Sequence, residues 1–350
     1  MTAVLTPTPS TVDTVARGRV RRAARRRLVT TLLALAVLVA FAVTLMVGRT
    51  FYPPGDVLRV VLGSDVPGAS FTVGTLRLPR AVLAVTAGLS FGLAGVTFQT
   101  MLRNPLASPD VIGITSGASA AAAFAIVVLG WSGTAVSVTA IVSALGVALL
   151  IYSLAFKDGV AGTRLVLIGI GVAAMGKSVT SYVLSKAGAW DFAEALRWLT
   201  GSLNGSTWEA TVPALLALLV LGPVLLRQTR ALSALQLGDD TASALGVRVE
   251  RTRIIAIIAA VGLLAFATAA CGPIAFVSFL AGPIAARLVG PNGSLLVPAA
   301  LVGALLVLVA DLCGQFAFGT RFPVGVVTGV LGAPYLIYLI VRTNRAGGSL

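Results

Sequence analysis

The sequence predicts an all-α integral membrane protein with about ten transmembrane helices. Of its 350 residues, 57% are hydrophobic and only 11% are charged, whereas soluble domains have about 25% charged residues. The hydrophobic residues also cluster in runs of about 20, the length of helix that crosses the hydrocarbon core of a bilayer. Such a chain has too few polar residues to cover a surface in water, so lipid is its expected environment.

Ten apolar runs are candidate spans, and most charged residues fall between them. The eighth run is the weakest, because it is short and contains Pro273 and Pro283. Glycine and alanine are frequent in the runs, and small residues let helices approach closely in lipid. The candidate spans are Leu28–Val47, Ala81–Thr100, Val111–Gly130, Thr134–Phe156, Leu165–Leu184, Ala210–Leu226, Ile254–Ala270, Pro273–Ala286, Leu295–Ala310 and Phe322–Val341.

The basic residues predict how the chain is oriented. It divides into a basic tail (1–27), a ten-span domain (28–342) and a second tail (343–350). With the first tail in the cytoplasm, the inner segments contain 18 lysines and arginines and the outer segments contain 7. Inner connections are enriched in basic residues, so we expect both termini on the cytoplasmic side of the membrane. The seven arginines of the first tail also suit contact with anionic lipid headgroups.

Composition argues against several classes of function. The chain contains no histidine, which excludes histidine-ligated metal or haem sites and Ser-His-Asp triads within it. Its two cysteines, Cys271 and Cys313, lie in or beside apolar runs and form no CxxC pattern. The net charge of +14 comes from the tail and the connections rather than from one face, so no nucleic-acid partner is expected. We expect this chain to bind neither a metal nor a cofactor.

Two charged residues fall within or beside the apolar runs. Lys177, in the fifth run, is either a residue of a transport pathway or a lysine that extends to the headgroups from about two turns inside the membrane. It completes a P-loop pattern from Gly171 to Ser178, but a P-loop requires a preceding strand and free amides at a helix terminus. A nucleotide site is therefore not expected there. Asp311, the acid that directly follows the ninth run, is expected to cap a helix or to pair with a basic residue.

Three connections contain further signals. In the inner connection Arg227–Arg253, the stretch Gly238–Gly246 has flanking glycines and an acidic first turn, which predict a short helix. Arg77 and Arg80, before the second run, either mark the interfacial start of a helix or form a docking site for an acidic partner. After that run, Arg103–Pro109 contains two prolines and predicts a stiff turn.

A set of motifs occurs in one order along most of the chain. They are Arg77-Leu-Pro-Arg80 with Gly88, Gly95 and Gln99; Arg103-Asn-Pro-Leu-Ala107 with Pro109, Gly113 and Gly117; Trp198-Leu-Thr-Gly-Ser-Leu203; Leu235-Gln-Leu-Gly238 with Ala242, Leu245 and Gly246; Gly272-Pro-Ile-Ala-Phe-Val277; and Pro323-Val-Gly325 with Gly332-Ala-Pro334. In order and spacing they resemble the iron-siderophore and cobalamin importer permeases of the ABC superfamily, the FecCD-like transmembrane subunits. The likeness covers about Arg77 to Val341.

The resemblance implies a cobalamin-importer-permease-like fold and a set of partners. These are a second permease subunit, identical or not, two ATP-binding cassette ATPases in the cytoplasm, and an external substrate-binding protein. ATP would be bound by the ATPases, and substrate would pass between the two permeases.

The resemblance also implies roles for particular residues. Arg77 and Arg80 would dock the binding protein, and Asn104, Leu106 and Thr163 would belong to a cytoplasmic gate. A coupling segment at about 232–247 would contact an ATPase through Leu235, Leu237, Gly238, Asp239, Asp240, Ala242, Leu245 and Gly246.

Three positions depart from the family pattern. Ile284 stands where the family usually has histidine, Gln315 replaces a third docking arginine, and Arg321 replaces an acid. The third docking charge is then expected at Arg321, or the chain pairs with an unlike permease.

The function expected from these features is a permease subunit for an iron-siderophore complex, driven by partner ATPases and without enzymatic activity of its own. The same machine with cobalamin or haem as its substrate is an alternative. An ion-driven secondary transporter is another, but it predicts several intramembrane carboxylates where the runs offer Asp311. A membrane-embedded enzyme is disfavoured by the absence of histidine and of clustered acids.

Overall fold

The computed structural model describes residues 9–110, 112–155, 162–290 and 293–345, and within these ranges the chain consists of helices and their connections. A π-helical segment, Ser70–Arg77, continues directly into α3. The helices are α1 (Pro9–Met46), α2 (Pro54–Val61), α3 (Leu78–Met101), α4 (Ile114–Val127), α5 (Thr134–Ala155), α6 (Gly162–Ser185), α7 (Ala189–Leu199), α8 (Trp208–Arg227), α9 (Thr229–Leu235), α10 (Asp239–Ala244), α11 (Val249–Cys271), α12 (Val277–Val289), α13 (Leu296–Phe316) and α14 (Val324–Arg345).

The ten predicted spans correspond to ten apolar helices, which confirms the predicted fold class. In the described ranges, seven helices are long and apolar enough to cross a membrane: α1, α3 with its π-helical extension, α5, α6, α8, α11 and α13. Three shorter apolar helices, α4, α12 and α14, match the remaining predicted spans. The other described helices, α2, α7, α9 and α10, are short and belong to the connections.

Helix α3 is the centre of the bundle. It is buried along most of its length and packs against α8, α11, α12 and α13. Phe91 and Phe98 fill the space around it, and both are 1% exposed. Because α3 is held on several sides, the residues at its two ends have well-defined positions. We call these ends of the bundle the Arg80 end, where α3 begins, and the Arg103 end, where α3 stops.

The contact between α3 and α13 depends on glycine. A Cβ atom built on Gly88 would lie 2.5 Å from the Cα of Ala304 on α13, closer than real side chains approach. The two backbones can meet only because neither side places a large side chain between them. In lipid, close backbone approach of this kind is a main source of helix association.

Most spans have bounds that differ from the predicted ones, and the starts of three of them are informative. The second is already helical from Ser70, before the predicted start at Ala81. Helices α4 and α12 begin several residues later than predicted, directly after Gly113 and Phe276. These two residues have φ angles of 89° and 64°, and a right-handed helix cannot contain such a conformation. Two short irregular stretches therefore precede α4 and α12.

The helices at the edge of the bundle expose apolar side chains. Leu149 on α5, Leu167 on α6 and Val220 on α8 are each more than 60% exposed. In a membrane these surfaces meet lipid or another subunit. Helix α1 is continuous from Pro9, so the described part of the basic tail and the first span form one helix.

Candidate functional site

Arg77, the first predicted docking residue, holds the end of α1. Its guanidinium donates hydrogen bonds to the carbonyl oxygens of Leu45 (2.9 Å), Met46 (2.9 Å) and Thr50 (2.7 Å). It also lies over the ring of Tyr52, 5.0 Å from the centroid. A cation at these positions satisfies the last carbonyls of α1 and complements its helix dipole. Arg77 therefore joins the first span to the second.

Arg80, the second predicted docking residue, forms a buried ion pair with Asp311. Its Nε lies 2.9 Å from Oδ2 and its Nη2 lies 2.7 Å from Oδ1 of the carboxylate. The Arg80 and Asp311 side chains are 14% and 3% exposed. Gln315 donates a further hydrogen bond of 2.9 Å to Asp311. Asp311 thus pairs with a basic residue, one of its two predicted roles, and joins α13 to the start of α3.

Arg321 lies at the same end of the bundle, in the connection between α13 and α14, and it is exposed. Arg77 and Arg80 each have partners inside the chain. Arg321, by contrast, is exposed on the surface of the bundle. Of the three predicted docking arginines, Arg321 is therefore the most accessible to another protein.

The turn that follows α3 lies at the opposite end. We call residues Arg103–Pro109 the Arg103 turn. The Asn104 side chain accepts a hydrogen bond of 2.8 Å from the Leu106 amide, which stabilises the turn. Leu106 packs against a hydrophobic cluster formed by Phe279 and Leu280 of α12 and Leu339 of α14. The turn is therefore packed against a cluster that two other spans share.

Thr163, the third predicted gate residue, is the second residue of α6. Its side chain lies outside the described part of the structure.

The predicted short helix between the glycines is present as α10, Asp239–Ala244. We call residues Leu235–Gly246 the α10 segment. Gly238 and Gly246 flank the helix with φ angles of 108° and 83°, values that glycine adopts readily and other residues rarely. The flanking glycines allow the chain to turn sharply into and out of this helix.

The α10 segment has a buried side and an exposed side. Leu235 and Ala242 are fully buried and attach it to the bundle, whereas Leu237 and Leu245 are each 63% exposed. Asp240 is also exposed. Two exposed leucines on one connection form an apolar surface that is suited to a protein partner.

The structure joins the α10 segment to the Arg103 turn, a contact that the sequence did not reveal. The Asp239 carboxylate accepts hydrogen bonds from Arg103 (2.9 Å) and from Arg253 at the start of α11 (2.9 and 2.7 Å). Arg253 is 7% exposed, and Arg103 and Asp239 are 44% and 40% exposed. One carboxylate therefore connects three elements at this end of the bundle.

Lys177 is exposed on α6, an edge helix. Helical spacing places Ala174, Ser178, Ser181 and Ser185 on the same side, and all four are exposed as well. A surface against lipid tails would carry large apolar side chains instead. This side of α6 is therefore suited to a water-filled path or to another subunit.

Asp110 is a polar residue that the sequence analysis missed. It lies in the connection between α3 and α4, where Ser278 of α12 donates a hydrogen bond to one carboxylate oxygen and Thr115 donates one of 2.6 Å to the other. Burial raises the pKa of the Asp110 carboxyl, and the two hydrogen bonds oppose this shift. The available signal was the position of Asp110 directly before an apolar run, but an acid at such a position is equally typical of a solvated loop.

Within the described residues, a bundle of ten apolar helices, seven of them long enough to cross a bilayer, defines a multi-pass membrane protein. The comparisons agree. The chain belongs to the FecCD transport family, whose family model matches residues 34–342. This confirms the resemblance inferred from the motifs.

Curated relatives are similar over almost the whole chain. The ferric enterobactin transport system permease protein FepG of Escherichia coli (strain K12) is 40% identical, over 92% of this chain and 98% of that protein. The achromobactin transport system permease protein CbrC of Dickeya dadantii (strain 3937) is 39% identical, over 90% of each chain.

A solved structure, described as an inward-facing metal-chelate type ABC transporter, superposes with a TM-score of 0.81 at 27% identity. The match covers 90% of this chain and 99% of that one. The chain is thus a permease of the ABC importer class.

Proposed function

We propose that this chain is the permease subunit of an importer that carries an iron-siderophore complex across a prokaryotic cell membrane. The observation that carries this proposal is the similarity to two permeases named for ferric enterobactin and achromobactin, at 40% and 39% identity. Because the likeness covers about nine-tenths of this chain, it includes the spans that would surround a substrate.

The complete importer contains further subunits. A second permease, identical or unlike, pairs with this chain, and the substrate passes between the two. Two ATPases bind and hydrolyse ATP on the cytoplasmic side, and a binding protein delivers the substrate from outside. This chain binds no cofactor. The exposed edge helix α6 and the exposed leucines of the α10 segment offer surfaces for such partners.

Both termini lie in the cytoplasm in this proposal. The α10 segment is then cytoplasmic and Arg321 is external, which agrees with the excess of basic residues in the inner segments. The orientation can be tested with Leu245→Cys and Arg321→Cys, each in a chain whose native cysteines are replaced by alanine. A membrane-impermeant thiol reagent should label residue 321 in intact cells and residue 245 only after lysis. Labelling of both in intact cells would contradict the orientation.

The α10 segment is the coupling element. Leu237 and Leu245 enter a groove of the ATPase, while Leu235 and Ala242 transmit the movement to the bundle. Closure of the ATPase dimer on ATP brings the coupling segments of the two permeases together and switches access from one membrane face to the other. The exposure of two leucines outside the spans supports this role.

The two ends of the bundle serve different partners. Arg321, with Arg77 and Arg80 near it, forms the face that receives acidic residues of the binding protein. Asn104, Leu106 and Thr163 form the cytoplasmic gate. The packing of Leu106 against a cluster of residues from α12 and α14 supports this role, since a shift of the turn would disturb that cluster.

Lys177 lies on the substrate path in this proposal. Its positive charge and the small polar side chains beside it suit an anionic iron chelate, in which carboxylates or catecholates hold the metal. Facing a second permease across the path, it would attract such a chelate without a covalent step.

The substrate can be tested by growth. A strain that lacks this permease is supplied with single siderophores as its sole iron source, and the same strain carrying the gene serves as the reference. Growth on at least one siderophore only when the gene is present, with uptake of radiolabelled iron, is the expected result. If the gene restores uptake of cobalamin or haem but of no siderophore, the substrate assignment is wrong.

A further inference from the structure

The ion pair between Arg103 and Asp239 joins a predicted gate element to a predicted coupling element. We propose that Asp239 is the positioning residue through which movement of α10 reaches the Arg103 turn and thereby the gate. The inference rests on the proposed function, because it concerns how the ATPase step drives transport. It adds a specific pair of side chains, 2.9 Å apart, that performs this transmission.

Arg103 occupies a position where glycine is the usual residue. Its φ angle is 53°, and it follows the last turn of α3. The Arg103 amide bonds to the Thr100 carbonyl (3.3 Å) and the Asn104 amide to the Gln99 carbonyl (3.1 Å), the pattern that normally ends a helix with glycine. A side chain at this angle costs conformational energy, so its presence here calls for a compensating role. Its contact with Asp239 supplies one.

Asp239 is also held from the other side. Arg253, nearly buried at the start of α11, binds both oxygens of the same carboxylate. Helix α11 packs against the central α3 and is itself mostly buried. Asp239 therefore links α10 both to α11, through Arg253, and to the turn, through Arg103. A displacement of α10 changes the position of Asp239 and pulls or releases Arg103.

The turn can pass this displacement on. Asn104, next to Arg103, bonds to the amide of Leu106, so these residues move together. Leu106 in turn packs against the hydrophobic cluster of Phe279, Leu280 and Leu339, which belongs to α12 and α14. The chain of contacts from α10 to two spans is thus continuous and consists of named side chains.

The test uses the complete transporter, with both permeases and both ATPases, in proteoliposomes. The quantity is chelate taken up per ATP hydrolysed in Arg103→Gly, in Asp239→Asn and in the double variant. Asp191→Asn is the matched control, since Asp191 is an exposed aspartate on α7, outside the α10 segment. Glycine suits the backbone angle at position 103, so Arg103→Gly is expected to fold and to retain its ATPase subunits.

We expect Arg103→Gly to lower uptake per ATP roughly fivefold, the effect of losing one partly exposed ion pair. Asp239→Asn should lower it at least as much, and Asp191→Asn should not. In the Asp239→Asn background, Arg103→Gly should cause no further loss, because the link is already broken. Arg103→Lys should retain most of the coupling. Wild-type coupling in Arg103→Gly, or an additive loss in the double variant, would overturn the inference.

A second measurement separates this inference from the substrate assignment. An environment-sensitive dye on Pro105→Cys, an exposed position of the turn, reports the movement of the turn when ATP is added without any chelate. The ATP-dependent signal should be present with Arg103 and absent in Arg103→Gly. If the signal is the same in both, the link is refuted whatever the transporter carries. If the signal behaves as expected but no iron chelate is transported, the substrate assignment alone fails.

Discussion

The guanidinium of Arg80 donates two hydrogen bonds, of 2.9 and 2.7 Å, to the carboxylate of Asp311. The two residues are 231 positions apart in the chain. The pair joins the start of the central helix α3 to α13. It also means that an arginine predicted to dock a partner is already bound within its own chain. Docking that uses Arg80 must therefore open this pair or add to it.

Removing the acid from this pair should destabilise the permease. In Asp311→Asn the Arg80 charge stays largely buried without its partner, so we expect a loss of about 2 kcal/mol in the free energy of unfolding. Thermal unfolding of the purified protein in detergent measures this loss. Asp56→Asn, which breaks the exposed pair with Arg59, is the control and should change stability by less than about 1 kcal/mol. Equal effects of the two substitutions would show that the Arg80 pair is not a stabilising one.

Arg321→Glu should weaken the binding of the substrate-binding protein to the permease without destabilising the fold. Arg321 is exposed, and the reversal of its charge should reduce affinity for the binding protein roughly tenfold, with a smaller effect at high salt. Binding to the reconstituted permease is the measurement. Arg59→Glu, an exposed arginine in α2, is the control. Reversal of Arg77 or Arg80 is a poorer test, because it also breaks contacts inside the chain. Unchanged affinity in Arg321→Glu would remove Arg321 from the docking face.

Replacing the exposed leucines of the α10 segment should release the ATPase. The double variant Leu237→Ser and Leu245→Ser removes two side chains that are each 63% exposed, so the isolated permease should keep its stability. Loss of two buried apolar contacts at the interface should weaken ATPase association by about 2 kcal/mol or more. Co-purification with the ATPase measures this, with Leu62→Ser as a control at another exposed leucine (74%). Undiminished co-purification would contradict the coupling role.

Lys177 should discriminate between chelates by charge. Iron(III) bound by catecholate dianions forms an anionic complex, whereas iron(III) bound by three hydroxamate monoanions forms a neutral one. We expect Lys177→Gln to reduce uptake of a catecholate chelate roughly tenfold and to leave hydroxamate uptake nearly unchanged. Lys186→Gln, at an exposed lysine beyond the end of α6, is the control. An equal loss for both chelates would indicate a structural role for Lys177, and no loss for either would remove it from the path.

Asp110 should make stability depend on pH. Burial raises the pKa of Asp110 in the folded state above its ordinary value of 3.8. Between the unfolded-state pKa and this raised folded-state pKa, the folded state therefore binds more protons than the unfolded state. The contribution of Asp110 to stability is therefore largest in acid and declines as pH rises through this window. The melting temperature of the wild type minus that of Asp110→Asn should fall with increasing pH. Asp191→Asn, which replaces an exposed acid on α7, is the control for the loss of a carboxylate. If the melting temperature of the wild type minus that of Asp110→Asn instead rises with pH, a raised pKa of Asp110 in the folded state is contradicted.

The spans could be predicted because hydrophobic length is a local property of the sequence. The late starts of α4 and α12 could not, since they depend on the left-handed backbone at Gly113 and Phe276, which hydropathy does not report. The short helix α10 was predictable from its flanking glycines and acidic first turn.

Pairings between distant residues were beyond the sequence. Asp311 was expected to pair or to cap, but its partner Arg80 lies 231 positions away. Asp239 and Arg103 were placed in separate elements, and only the folding of both onto the same end of the bundle brings them together. Asp110 was missed because the same residue type is usual in a solvated connection.

ATP-driven uptake by the reconstituted transporter tests the central claim most directly. Proteoliposomes contain the permease pair, the two ATPases and, on the outside, the binding protein loaded with a radiolabelled ferric catecholate. We expect iron to accumulate when ATP is inside, and not with an ATPase variant that binds ATP without hydrolysing it. Accumulation that continues with the inactive ATPase, or that follows an imposed ion gradient instead, would contradict the account.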